Sequence, residues 1–303
     1  ERIELYANTA KVYHEKLSNN NEAIESYVLA LQENPQHLGS LLALEELYKE
    51  TEQDHELFDI LRTRAEVAES LGESEEYEKI QLNMAALLVD KLSDPTQAMH
   101  IYEQLLQKNT HCNEAIERLQ SLLENDDFVA DVASILTPIY NDADAQDKLV
   151  TLYTRRIQAS DDPYERKQFY MNAAEISEKK LHDDAKAFDL YSKALKESFA
   201  DEEIIVSLQR IAARSEKYAE LVEIFDSFTK DCEDDLLKTQ LSLLSARYTE
   251  EELNDKDAAI EKYEAVLKID DYQAEALEEL HRLYVQSEKF EKLAEVLQKR
   301  IDI

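Results

Sequence analysis

The chain has 303 residues, with 67 acidic against 34 basic side chains and a formal net charge of −33. That balance disfavours duplex nucleic acid and anionic membranes as partners, because binding either rests on clustered Lys and Arg. Two glycines, four prolines and no tryptophan exclude glycine-rich phosphate loops and glycine-turned sheets, and favour long helices joined by short turns.

In the first segment Ile3, Ala7, Ala10, Tyr13 and Leu17 recur at steps of three and four, one stripe of an amphipathic helix. After a polar turn at Ser18 to Asn21, the residues Ala23, Tyr27, Ala30 and Leu31 make the partner stripe. Pro35 disfavours helix at Asn34 and suits the first turn of a third helix carrying Leu41, Leu44, Leu47 and Tyr48. A fourth carries Leu57, Ile60, Leu61 and Arg64, and Gly72 stops it as a left-handed cap. Further along, Asp94-Pro95 and Asp162-Pro163 each place a capping acid before a proline that can open a helix.

The first segment then recurs. Leu17, Leu92, Leu181 and Leu253 are equivalent landmarks. Seven residues before them stand Ala10, Ala85, Ala174 and Ala246; six after stand Ala23, Ala98, Ala187 and Ala259. Ten after come Tyr27, Tyr102, Tyr191 and Tyr263, and fourteen after come Leu31, Leu106, Leu195 and Leu267. The register runs on through Leu44, Leu119, Leu208 and Leu280, then Leu47, Leu122, Ile211 and Leu283. Such a chain is a repeat array whose units bury their apolar faces by stacking on neighbours.

The expected fold is all-α, a right-handed α-solenoid of antiparallel helix pairs with about 17 helices. It reads as a single solenoid over 1–303, with units at approximately 1–72, 73–162, 163–232 and 233–303. Landmark spacings of 75, 89 and 72 residues give the second unit one extra helix, near 126–160. Leu149, Leu152, Tyr153 and Arg156 copy the fourth-helix pattern. One inserted helix inverts the up-down parity of every later helix. Either 113–123 and 128–140 do not form an ordinary antiparallel pair, or the superhelix turns there, and Pro138 would disturb a helix interior.

"AIESYVLALQENP" (23–35) resembles the second helix of a tetratricopeptide repeat (TPR), and "AAIEKYEAVLKID" from Ala258 resembles it almost as well. Alternation with "LxxLxxLY" and "LxxILxxR" helices looks like the long TPR arrays of bacteria. The resemblance covers essentially the whole chain. It departs in the spacing of first- and second-helix alanines, 13 residues where the family uses twelve, and in a blurred 34-residue period. It implies a peptide groove lined by first helices. The family's basic clamp for acidic tails needs Lys, Asn and Arg on successive first helices, whereas Lys11, Ala86, Glu175 and Arg247 stand there, so no clamp is formed. Tyr6, Lys11, Tyr13 and His14 stand where a mixed groove would be lined, although tyrosines at that spacing also belong to cores.

Motifs for catalysis are missing. Gly39 and Gly72 lie 33 residues apart, which excludes GxGxxG, P-loop and GxSxG patterns. His14-Glu15 begins like HExxH, but position 18 is Ser18. "DCEDD" (231–235) and "NDKD" (254–257) lack the glycine of a calcium loop and read as helix caps and solvated turns. Cys112 and Cys232 form neither a disulfide framework nor a zinc pattern. No catalytic residue, metal site or cofactor is assigned. A net-positive window, 148–180, holds Lys148, Arg155, Arg156, Arg166, Lys167, Lys179 and Lys180. Its cations either receive an acidic segment of a partner or pair with acidic helices beside them.

The leading expectation is a non-catalytic scaffold or adaptor for a protein or peptide partner of basic character, with Lys11, His14, Arg155, Arg156, Arg166 and Lys167 as candidate contact residues. The alternatives are a sensory or regulatory arm of a larger enzyme or membrane-anchored protein and, disfavoured by charge, an RNA-processing repeat protein. No apolar run approaches about 18 residues, so the chain reads as soluble, in cytoplasm or periplasm. Apolar residues persist from Ile3 at one end and through Phe290, Leu293, Val296, Leu297 and Ile301 to Ile303 at the other. An excised portion of a longer array, prone to end-to-end association, would look like this.

Overall fold

The computed structural model describes residues 1–198 and 201–302; Ile303 lies outside the described residues. It divides into two compact units, 1–142 and 143–303. Unit 1 holds α1 (Arg2–Leu17), α2 (Asn20–Glu33), α3 (Leu38–Glu50), α4 (Asp54–Leu71), α5 (Ser74–Asp90), α6 (Pro95–Lys108), α7 (Asn113–Leu122) and α8 (Val129–Asp142), with a 3-10 turn at Asp126–Phe128. Unit 2 holds α9 (Gln146–Ala159), α10 (Pro163–Lys179), α11 (Asp184–Glu197), α12 (Glu202–Ser215), α13 (Tyr218–Asp231), α14 (Asp235–Glu251), α15 (Lys256–Ile269), α16 (Ala274–Gln286) and α17 (Phe290–Asp302). Each helix packs on the next within its unit. The architecture is an all-α solenoid of helical hairpins, with 17 α-helices among the described residues.

The recurring small residues sit at helix crossings. Ala10, Ala85, Ala174 and Ala246 are fully buried, as are Ala23, Ala98, Ala187 and Ala259, and the tyrosines at Tyr27, Tyr102, Tyr191 and Tyr263 are buried beside them. Alanine at both positions lets paired backbones approach, and the tyrosine ring fills the space left over. Leu44, Leu119, Leu208 and Leu280 are likewise buried.

The landmark leucines are different: Leu17 and Leu253 are exposed, Leu17 as the last residue of α1 and Leu253 two residues past the end of α14. Each of the four precedes a left-handed residue: Ser18, Ser93, His182 and Asn254 have φ of 48°, 54°, 53° and 56°. The next residue, Asn19, Asp94, Asp183 or Asp255, closes the turn with its N–H on the carbonyl six positions back, at 2.9, 2.9, 2.8 and 3.1 Å. Its side chain then caps the following helix, accepting from the N–H of Glu22, Gln97, Lys186 or Ala258. The hairpin turn is thus a three-residue device, achieved without glycine.

Three local expectations are corrected. The first turn is shorter than Ser18–Asn21, because the Asn19 cap starts α2 at Asn20. Pro35 lies in a turn and does not open α3; the His37 ring supplies the cap, Nδ1 accepting from the Ser40 N–H at 3.3 Å. Helix α8 runs through Pro138, and there the Thr137 hydroxyl donates to the Ala133 carbonyl at 2.7 Å. The Gly72 cap at φ 73° and the Asp94-Pro95 and Asp162-Pro163 starts form as their sequences imply. Of the surplus segment, α7 has ten residues, and α6 packs on both α7 and α8.

Candidate functional site

An apolar groove lies in unit 2, between α12 and α14. Helix α12 directs Ile204, Leu208, Ile211 and Ala212 into the core, which leaves Ile205, Val206 and Gln209 on the opposite flank. Helix α14 is apolar on more than one side. Leu241 and Ala246 are buried, and Leu236, Leu237, Gln240 and Leu244 line the groove. A helix with apolar residues around much of its circumference cannot bury them all against one neighbour. The resulting cavity is about 540 Å³. Val206 and Leu236 stand open to solvent within it, Leu236 at 71 %.

The rim is acidic. Glu202, Asp234 and Glu275 border the groove against the single lining cation Arg247, whose guanidinium is bonded to Glu275. The groove therefore offers an apolar floor with carboxylates at its edge. Such a surface seats an aliphatic or aromatic side chain flanked by cations.

Unit 1 carries the same groove in smaller form, about 250 Å³, lined by Leu38 and Leu42 of α3, Leu71 of α4 and Ile80 of α5. The correspondence is positional: Leu42 and Val206 each follow their landmark leucine by 25 residues, and Ile80 and Leu241 each precede the next by 12. Its base is Arg64, buried and bonded to Glu45 and Glu76. A larger depression of about 710 Å³ runs along Glu69, Glu73, Glu75 and Glu78. Lys108 crosses it, 4.2 Å from the centre of the Tyr77 ring and 2.7 Å from Glu69.

The candidate cations fall into two groups, one in each unit. On α1, exposed Lys11 reaches Glu15 at 3.7 Å, and half-buried His14 pairs with Asn20 Oδ1 at 3.2 Å. Tyr6 and Tyr13 are half-buried on the same helix. In unit 2, Arg166 of α10 makes a two-pronged contact with Glu197 of α11, at 2.9 and 2.7 Å, and also donates to the Ser160 carbonyl. Lys167 meets Asp201 at 2.9 Å. Arg156 lies 4.7 Å above the Phe169 ring and 3.9 Å from Glu165; Arg155 beside it is half-buried and also engaged. These side chains hold neighbouring segments of their own chain together.

Sequence reasoning missed a pair of ionic staples. Glu178 of α10 is buried beneath Arg210 and Arg214 of α12, and Glu250 of α14 receives Arg282 of α16 at 2.5 Å. Burial pushes the Glu178 carboxyl up, and the hydrogen bonds and charges of the two arginines more than reverse this, holding it below the usual carboxylate range. A glutamate three before a landmark and an arginine 32 residues later was the available signal.

Asp234 caps α14 and Asp255 caps α15, which accounts for these members of the two acidic clusters. Among the described residues no group of three or more His, Cys, Asp or Glu is placed to hold a metal ion, and no helix is long and apolar enough to cross a membrane. Cys112 and Cys232 are buried free thiols.

Neither a family model nor a curated protein matches the chain. Solved structures do. The TPR2AB domain of yeast Sti1, in its pHSP90 complex, is 14% identical over 87% of this chain and 98% of that one, with a TM-score of 0.32. The TPR domain of P58(IPK) is 11% identical over 99% of this chain and 92% of that one, with a TM-score of 0.28. The hairpins, their buried alanine pairs and their recurring offsets make this chain an array of repeated helical hairpins.

Proposed function

We propose that this chain is a non-catalytic protein-interaction scaffold, and that the α12–α14 groove takes a peptide with one apolar anchor flanked by Lys or Arg. The observation that carries this reading is the groove itself: exposed Leu236 and Val206 on an apolar floor inside a rim of Glu202, Asp234 and Glu275. The net charge of −33 favours the same partner at longer range by raising its encounter rate. Screening shortens that reach to about 8 Å at 0.15 M salt.

The test is fluorescence anisotropy with two sets of labelled peptides sharing a Leu or Phe anchor, one flanked by Lys and Arg and the other by Asp and Glu. The basic set should bind, weaken with salt, and lose binding in Leu236→Asp. Equal binding to wild type and Leu236→Asp, preference for the acidic set, or no binding by either set would each overturn the proposal.

A further inference from the structure

Helices α5 and α14 open their repeats at equivalent positions, yet the same face carries opposite chemistry in the two. The residues 17, 9 and 6 positions before the landmark are Leu236, Leu244 and Arg247 in α14, and Glu75, Asn83 and Ala86 in α5. Twenty-two positions after the landmark both repeats have a glutamate, Glu275 and Glu114. In unit 2 the Arg247 guanidinium bonds Glu275. In unit 1 alanine stands in place of that arginine. Glu114, exposed in the first turn of α7, has no hydrogen-bond or ion-pair partner among the described residues. It lines the depression of about 710 Å³.

A cation already rests in this depression. Lys108 of α6 lies 4.2 Å from the centre of the Tyr77 ring and 2.7 Å from Glu69. The hydrogen bond to Glu69, with Tyr77 beside it, holds the ammonium above its usual range. An aromatic face flanked by a carboxylate is a seat for a cation. Both partners of the Lys108–Glu69 pair are exposed, so this internal occupant is held weakly. Glu73 and Glu75 add carboxylates to the wall, and Leu82 and Leu105 supply an apolar strip for the stem of a long side chain. Elsewhere the chain places arginine on such a seat: Arg156 lies 4.7 Å above the Phe169 ring and 3.9 Å from Glu165. A planar guanidinium stacks on a ring and forks onto carboxylates, which a compact ammonium cannot do.

We propose that the unit 1 depression receives an arginine side chain of a partner protein, seated on Tyr77 in place of Lys108 and paired with Glu114. The contact is the intermolecular counterpart of the internal Arg247–Glu275 pair. It needs no apolar anchor and lies in the other unit from the α12–α14 groove, so it stands or falls independently of the function proposed for that groove.

Isothermal titration calorimetry of the 303-residue chain tests this, using two short glycine-serine peptides, one with two adjacent arginines and the other with two adjacent lysines. Wild type should bind the arginine peptide at least about threefold more tightly than the lysine peptide. Tyr77→Leu and Glu114→Gln should each weaken the arginine peptide at least about threefold, with circular dichroism confirming that the helices persist. Glu114 is exposed, so its variant leaves the packing of the hairpins intact. Lys108→Met should tighten binding by vacating the ring. Lys193→Met, which removes an equal charge from an exposed pair in unit 2, should not. Leu236→Asp should leave binding unchanged. Equal binding of the two peptides, or no binding of either at millimolar concentration, would overturn the proposal. So would Glu114→Gln binding like wild type, equal effects of Lys108→Met and Lys193→Met, or loss of binding in Leu236→Asp.

Discussion

Arg210 on α12 donates from Nε and Nη2 to the two carboxylate oxygens of Glu178 on α10, at 3.0 and 2.8 Å, across 32 residues of chain. The carboxylate is buried while the guanidinium is half in water. Loss of one partner is therefore unequal in its effect. Glu178→Ala should destabilise by about 1.5–3 kcal/mol, the range for hydrogen bonds to charged groups. Arg210→Ala should cost less, because Arg214 still reaches Glu178 at 3.2 Å. Denaturant titration of both single variants and the double variant measures this, and equal losses from the two would contradict the described asymmetry.

The pH dependence of stability rests on the same group. With its folded pKa below the unfolded value of about 4.3, Glu178 contributes stability that is present above that value and lost as pH falls through the folded one. Asp184, hydrogen-bonded by Arg214, acts in the same direction. At the alkaline end, burial pushes the Tyr102 hydroxyl up to about 12, so its contribution is complete below pH 10 and is lost as pH rises toward 12. Melting temperature against pH should fall at both ends. Glu178→Gln should flatten the acid limb and Tyr102→Phe the alkaline one; a variant curve parallel to wild type at its own limb would refute that assignment.

Ala174 is fully buried where α10 packs on α11, next to the equally buried Ala187. Ala174→Leu should overpack this crossing and cost about 1–3 kcal/mol. The measurement is a thermal or urea midpoint; a midpoint equal to wild type would mean that the hairpin can open there without loss.

His182 holds φ 53° with a β-carbon in place, a conformation that costs an L-residue about 1–2 kcal/mol. His182→Gly removes that cost and restores about 0.5–1 kcal/mol of unfolded-chain freedom, so the expected net gain is about 0.5 kcal/mol. Asn254 adopts φ 56° at the equivalent position, but asparagine tolerates the left-handed region. Asn254→Gly should therefore bring no gain. The difference between the two midpoints is the readout.

Much of this architecture is legible in residue order. Amphipathic stripes at steps of three and four name the helices, and the alanine and tyrosine offsets name the core positions that the structure buries. The caps at Asp94 and Asp162 need only the adjacent proline. These features depend on residues within a turn or two of one another, where helical geometry alone fixes distance. The left-handed turns were less legible, because Ser18, Ser93 and His182 adopt without glycine a conformation that composition argues against.

What residue order left open, tertiary packing decided. Arg166 and Lys167 look like an exposed basic patch until α10 brings them to Glu197 and Asp201, 31 and 34 residues away. The groove beside Leu236 exists because α12 and α14 run as neighbours. Repeating sequence sets which face each helix offers, since that depends on local periodicity. Whether an offered face becomes core, ion pair or open surface depends on what the fold places against it, because burial and pairing are set by distances between segments that are far apart in the chain.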